Sequence, residues 1–381
     1  MLNKKGRMSM KKLLSLILAL SLVLGLSVSA SAAANSMNNF KKTETYGNQF
    51  TDVAASYWAA ASIKTCYEYS LMQGYDADSF VPKGNLTVAQ AIVMADRVHE
   101  IYTTGQSTLA NGAPWYQPYV DYAVENGIIQ EGDFTNYNAQ VTRAQMAYIF
   151  CNALPASALP AINDIQAIPD VNSSNPYASD ILTLYKAGVL TGSDVYGTFK
   201  PNDNIIRAEA AAIIARVAIP AQRQNVTLLQ DYTWNNVTLA VPTDVEEDYS
   251  NGMFGLVSDS SYTGVLLNTD YDAAYSGMSI TLMTAAQLND LLSTSMSGGG
   301  AALSNLNTKQ VTFGAIKAYR TTCTMTMNGM AMDAVFYTYI ANSSITMLCF
   351  VGSGDMDQSA VVLENMANHV RVAGCTVSPK L

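Results

Sequence analysis

The sequence predicts a multidomain protein. An all-α helical bundle of three repeated units comes first, and an α+β domain built as an antiparallel sheet sandwich follows. Three observations carry this expectation. A helix–loop–helix pattern recurs three times between residues 45 and 220. After Pro220 the periodicity changes from helical to alternating. The length of 381 residues also exceeds one ordinary domain and suits two or three.

The first segment reads as an address. Lys4, Lys5, Arg7, Lys11 and Lys12 precede an apolar run from Leu13 to Val28, and small residues follow through Ala34. Basic, apolar, then small is the secretory pattern, with cleavage expected near Ala32, so residues 1–32 are expected to be a signal peptide. No later run approaches the roughly eighteen apolar residues that span a bilayer, so no membrane association is expected after cleavage.

Residues 1–32 hold five basic and no acidic side chains, which leaves 16 basic against 30 acidic groups in the mature chain. That acidic balance, without a basic cluster, argues against a nucleic-acid partner. His99 and His369 are the only histidines, which leaves little for zinc or His-based catalysis. Neither a metal nor a cofactor is expected. The five cysteines (Cys66, Cys151, Cys323, Cys349, Cys375) form no C-x-x-C pair. Cys66 and Cys151 lie in apolar helical patterns and read as buried hydrophobes. Cys323 and Cys349 fall on predicted strands, where pairing is one alternative.

Each of the three units has the same parts. An aromatic opens a first helix at Tyr57-Trp58-Ala59, Trp115-Tyr116 and Tyr177-Ala178. A turn follows around Gly74, Gly127 and Gly188 to Gly192. The second helix opens at Thr87-Val88-Ala89-Gln90, Thr142-Arg143-Ala144-Gln145 and Ile206-Arg207-Ala208-Glu209, which lie 29, 27 and 29 residues beyond Trp58, Trp115 and Tyr177. Thr-x-x-Gln is a capping box: the hydroxyl accepts a first-turn N–H, and the amide reaches back to the cap. The third unit keeps Glu209 but has Ile206 at the cap, so a less firm start is expected. Behind each cap runs an apolar stripe: Ala91, Met94, Ala95, Val98; Met146, Ile149, Phe150, Ala153; Ala210, Ile213, Ile214, Val217. Ile63, Val120 and Ile181 are the matching core positions of the first helices. No unit buries its stripe alone, so the three must pack together.

At these residues the sequence resembles the S-layer homology domain family. Phe50-Thr51-Asp52-Val53 and Ile168-Pro169-Asp170-Val171 match its opening motif. Trp58-Ala59 and Gly74 match in the first unit, Thr142-Arg143-Ala144-Gln145 in the second, and Gly192, Phe199, Pro201 and Arg207-Ala208-Glu209 in the third. The units span residues 45–105, 110–160 and 164–220. The resemblance implies an all-α, pseudo-threefold helical bundle with grooves between repeats and noncovalent binding to an anionic secondary cell-wall polysaccharide, often pyruvylated. It implies a secreted protein held at the cell wall or in a surface layer, with Asp52, Asp170, Gly74, Gly192 and Glu209 among the site residues.

Residue chemistry points the same way. Arg143 and Arg207 sit in a helix's first turn, where a cation is unfavourable unless an anion joins it and the free N–H groups. The alternative is a surface salt bridge. Trp58, Trp115 and Tyr177 are candidates to stack on sugar faces, with a core anchor as the alternative for the tryptophans. Val88 replaces the arginine in the first unit, so that groove is expected to lack its cation.

Residues 225–381 are expected to form the α+β domain. Strands are expected over 237–241, 253–258, 277–283, 311–327, 332–341 and 344–352, with helices over 285–296 and 357–370. Asn328-Gly329 signals a hairpin. The pattern loosely resembles the Mog1/PsbP-like sandwich and carries over no functional residue. Asp244, Glu246, Glu247 and Asp248 lack Ca²⁺-loop spacing and read as a solvated loop. No catalytic motif appears. The expected function is wall anchoring with display of a ligand- or protein-binding domain, not catalysis. The alternatives are a structural surface-layer or adhesion protein and an enzyme with an unrecognised C-terminal site.

Overall fold

The computed structural model describes residues 35–250, 253–353 and 357–379. The expected signal peptide, residues 1–32, lies outside them. Among the described residues no helix is long and apolar enough to cross a membrane.

Among the described residues, the N-terminal half contains six main helices: α1 (Ala60–Glu68), α2 (Val88–Thr104), α3 (Gln117–Glu125), α4 (Arg143–Cys151), α5 (Ala178–Lys186) and α6 (Arg207–Ala218). Both Thr-x-x-Gln boxes form. The N–H groups of Gln90 and Gln145 donate to the Thr87 and Thr142 hydroxyls at 3.2 Å. Their side-chain amide oxygens accept the cap N–H groups at 3.0 and 2.9 Å. Ile206 has no side-chain acceptor, so α6 has only half a box, the Glu209 carboxylate accepting the Ile206 N–H at 3.1 Å. Each full box contributes about 1 kcal/mol.

The units close into a ring. The first helix of each packs on the second helix of the preceding unit: α3 on α2, α5 on α4, and α1 on α6. At the centre, the Leu86 N–H donates to the Ile205 carbonyl (3.1 Å), Ile205 to Val141 (3.3 Å) and Val141 to Leu86 (2.9 Å). These three side chains are fully buried, and all twelve stripe residues and Ile63, Val120 and Ile181 lie in one core with them. Cys66 is buried as expected, while Cys151 is only half-buried.

Among the described residues, the C-terminal half is one eleven-stranded antiparallel sheet in the order β1-β2-β10-β11-β6-β7-β8-β9-β5-β4-β3. The strands are β1 (Leu229–Trp234), β2 (Val237–Pro242), β3 (Glu246–Ser250), β4 (Met253–Ser258), β5 (Thr263–Tyr271), β6 (Ala301–Phe313), β7 (Ile316–Met327), β8 (Met330–Ala341), β9 (Ser344–Ser353), β10 (Arg371–Val372) and β11 (Cys375–Pro379). The sheet curls until its two edges meet through side chains. The Tyr232 hydroxyl on β1 donates to Glu247 on β3 at 2.7 Å, and Tyr232 and Trp234 stack on Phe254.

Alternation along β8 explains the two-faced packing. Val335, Tyr337 and Tyr339 enter the core that holds α8 (Asp357–Asn368), while Ala334 and Phe336 enter the core under α7 (Ala285–Gly298). Asn328 and Gly329 both have positive φ, 53° and 82°, and close the β7–β8 hairpin at Met327↔Met330.

Three expectations need correction. Residues 277–283 are not a strand; a 3₁₀ turn occupies Ile280–Leu282. The run 311–327 is broken at Gly314 (φ 57°), between β6 and β7. The acidic cluster is not a loop throughout, since Glu246–Asp248 lie on edge strand β3. A Cys323–Cys349 bridge is also excluded. β8 lies between their strands, and two strand spacings of about 4.8 Å exceed the reach of a disulfide. Both thiols are buried and free.

The two halves share packing. Leu228 joins the helical core, and Val195 and Tyr196 of the third unit pack on the sheet core. The Leu229 N–H donates to the Val195 carbonyl at 3.0 Å. The Tyr196 hydroxyl donates to Asp231 at 3.0 Å, and Asp231 is ion-paired with Arg371.

Candidate functional site: the grooves between repeats

Asp52 and Asp170 act on a loop, not on solvent. Asp52 accepts the Phe80 and Val81 N–H groups at 2.9 and 2.7 Å. Asp170 accepts those of Phe199 and Lys200 at 2.8 and 2.6 Å. Val81 and Lys200 have φ of 56° and 59°, a left-handed conformation unfavourable to both residue types. The charge-assisted pair of bonds holds the Phe-x-Pro loop there against that strain.

The loop then receives an arginine from the preceding unit in the ring. Arg207 Nε donates to the Phe80 carbonyl at 2.7 Å and Nη2 to that of Gln73 at 3.0 Å, with the guanidinium 4.7 Å from the Phe80 ring centre. Arg143 does the same one unit away: Nε donates to the Phe199 carbonyl at 2.7 Å, over the Phe199 ring at 5.2 Å. Its Nη1 also meets Glu209 at 2.7 Å. Glu209 thus serves both the α6 cap and Arg143. Burial draws the Arg207 pKa down, and the nearby Asp52 charge opposes that shift.

Free helix N-termini do not accompany these arginines. The Arg143 and Ala144 N–H groups donate to the Asp203 and Pro201 carbonyls, and those of Arg207 and Ala208 to Gly84 and Pro82. Val88 and Ala89 donate likewise to Ala139 and Tyr137. The expectation that an anion would meet unpaired first-turn N–H groups therefore fails, because ring closure supplies each with a carbonyl from the next unit. Arg143 does pair with Glu209, but across a seam with its own side chain largely buried, not as the surface salt bridge of the alternative.

The aromatics divide. Trp58 is 61% exposed and Trp115 39%, so neither anchors the core. Each lies beside a tyrosine, Tyr57 at 5.8 Å and Tyr116 at 5.6 Å between ring centres. Tyr177 is not their equivalent. Counting back five residues from Ile63, Val120 and Ile181 gives Trp58, Trp115 and Pro176. Tyr177 is the α5 N-cap, equivalent to Ala59 and Tyr116, and packs on Tyr148 at 5.2 Å. The glycines are steric. A Cβ on Gly74 would lie 2.3 Å from the Asp76 carbonyl oxygen, and one on Gly192 (φ 81°) 2.5 Å from the Gly197 Cα.

Two open hollows flank these parts. One of about 440 Å³ is lined by Phe50, Tyr67, Gln73, Gly74, Tyr75 and Asp76. The other, about 280 Å³, is bounded by Asp170, Asn175, Pro176 and Pro201. The groove between the first and second units has Val88 in the arginine position and carries Tyr116 against Tyr137 (5.4 Å) instead.

Sequence reasoning missed a polar cluster on α2. Glu100 accepts bonds from Ser107, Thr108 and the Leu109 N–H. Asp96, fully buried, has no hydrogen-bond partner at either oxygen among the described residues. Its pKa is pushed up to about 9 by burial and by the Glu100 charge. Its only signal was a carboxylate adjoining an apolar stripe.

The S-layer homology domain matches this chain at residues 49–92, 108–147 and 167–211. Among curated proteins, the surface-layer 125 kDa protein of Lysinibacillus sphaericus is 26% identical over 303 residues, covering 76% of this chain and 25% of that protein. The S-layer protein sap of Bacillus anthracis is 25% identical over 174 residues, 45% of this chain and 21% of that one. An endoglucanase of Bacillus sp. (strain KSM-635) is 26% identical over 188 residues, 48% of this chain and 20% of that one. The chain thus spans about a quarter or less of these relatives' length. In the sheet domain, cyanobacterial PsbP from Synechocystis is a weak structural neighbour, with 12% identity, TM-score 0.31, and coverage of 38% of this chain and 92% of that one. A score this low carries no further argument. The three matches fall on the three units of the ring, so residues 49–211 are three consecutive S-layer homology domains.

Proposed function

We propose that the protein is exported and held at the bacterial cell wall by its three repeats, which adsorb noncovalently to a secondary cell-wall polysaccharide. The sheet domain is then displayed outward for a ligand or protein partner. The observation that carries this is the coincidence of three family matches with three structurally equivalent units. The proposed polymer is anionic and pyruvylated. Arg143 and Arg207, each on the seam between two units, supply the positive charge. Their inward hydrogen bonds fix the guanidinium plane in advance of binding, which lowers the ordering cost of holding a carboxylate. Exposed Trp58 and Trp115 supply apolar faces for sugar rings. Binding, not catalysis, is assigned to both halves.

Co-sedimentation with purified cell-wall sacculi, before and after extraction of the secondary polymer, tests this. Retention should be lost on extracted sacculi. Equal retention on both would refute the anchoring role. Arg143→Ala with Arg207→Ala should also abolish retention, provided circular dichroism shows the fold intact.

A further inference from the structure

A cleft of about 700 Å³ opens between the third repeat and the sheet domain, within the size range of small-molecule sites. Arg216, in the last turn of α6, and Arg223, on the linker, line one side. Val361 and Asn365 of α8 line the other. Both arginines donate only to neutral oxygens among the described residues. Arg216 Nη1 meets the Val189 carbonyl at 3.1 Å. Arg223 Nε meets that of Arg216 at 3.2 Å, and Nη2 those of Ala158 and Val217 at 2.7 and 3.3 Å.

Among the described residues, neither arginine takes part in an ion pair, whereas Arg143, Arg320 and Arg371 face Glu209, Glu364 and Asp231. Burial alone draws both pKa values down. Asp194 also lines the cleft, but its Oδ1 already accepts the Tyr196 and Thr198 N–H groups at 3.1 and 3.0 Å. Asp194 pairs with neither guanidinium, so the two half-buried cations stand without an ion-pair partner among the described residues, which is costly. Around them stand carboxamides (Gln224, Asn225, Asn365) and the Thr191 hydroxyl, with Val361, 62% exposed, as an apolar face. Guanidinium for a carboxylate, amides for hydroxyls and one apolar face are the groups that hold an acidic sugar.

We propose that this cleft binds an anionic saccharide through Arg216 and Arg223. The site is separate from the seams between repeats, and its ligand bridges the anchor and the sheet domain. The source is either a soluble acidic sugar or the terminus of a wall glycan.

The test is calorimetric titration of the full chain with glucuronate, with glucose as the neutral control and inorganic phosphate as the charge-only control. Glucuronate should saturate with a Kd below about 1 mM, and glucose should not bind. Arg216→Gln with Arg223→Gln should weaken glucuronate at least tenfold. Because Arg223 also caps α6 and Arg216 holds the Val189 carbonyl, Val361→Glu is the decisive variant. It sets a carboxylate on the exposed far wall and should weaken binding equally without disturbing the caps. Val361 belongs to α8, which supplies no residue to the wall-binding seams, so lost glucuronate binding in that variant separates this cleft from them. Loss of sacculus retention in Val361→Glu would identify the wall glycan as the source, and retention with lost glucuronate binding would identify a soluble sugar. Three results would overturn the proposal: no saturable glucuronate binding, equal binding of glucose or of phosphate, or wild-type affinity in Val361→Glu.

Discussion

The guanidinium of Arg207 lies 4.7 Å from the centre of the Phe80 ring and donates to the Phe80 carbonyl, 127 residues earlier in the chain. This contact joins the last unit to the first. Arg207→Ala should therefore destabilise the helical half by about 3 kcal/mol, since two carbonyls lose a charged donor in a buried setting. Arg207→Lys should recover only part, because an ammonium lacks the planar fork and the stacking face. Urea denaturation monitored by circular dichroism gives both values, and a wild-type midpoint in Arg207→Ala would refute the seam's structural role.

Lys200 is exposed and held at φ 59°. Lys200→Gly should stabilise by roughly 0.5–1 kcal/mol, since glycine adopts that region without strain. Gly192→Ala should do the opposite, because its Cβ would press on the Gly197 backbone. Melting temperatures shifting in the same direction for both variants would contradict this local geometry.

Asp96 makes stability depend on pH. The folded protein keeps the carboxyl proton up to about pH 9, whereas the unfolded chain releases it near pH 3.8. Between those values the folded state holds the extra proton, so this group makes stability fall as pH rises, with a limiting slope of about 1.4 kcal/mol per unit. The Glu100 charge and the Tyr122 ring are the titratable neighbours that enter this balance. Asp96→Asn should match the wild type near pH 4 and exceed it by a few kcal/mol at pH 8. Parallel stability–pH curves for the two proteins would rule this out.

Trp58 is exposed beside Tyr57, so Trp58→Ala should leave the melting temperature within about a degree, a surface-substitution effect. Sacculus retention should drop several-fold if the indole contacts sugar. Unchanged retention would remove Trp58 from the binding surface.

The repeat was legible because each unit repeats its own caps and stripe, and local spacing reports local burial. All twelve stripe positions are buried for that reason. The partners of Arg143 and Arg207 were not legible, because they come from ring closure between units far apart in sequence. Tyr177 was misplaced by matching aromatic identity; the spacing to Ile181 would have given Pro176 instead. In the sheet domain, the Asn328-Gly329 hairpin announced itself through turn chemistry. Edge strand β3 did not, because Glu246-Glu247-Asp248 has the composition of a loop and becomes a strand through pairing with β4.

The central bonds among Leu86, Ile205 and Val141 form a closed cycle, each unit donating to the one before it and the first to the last. An open solenoid adds or drops a copy at its end with only a nearest-neighbour change. A closed triad has no end. Removing a unit strands one donor and one acceptor and uncovers two apolar helix faces, and a fourth unit would have no seat. The copy number of three is therefore a condition of folding, and a shortened chain with one or two units should not fold as a smaller version of the same anchor.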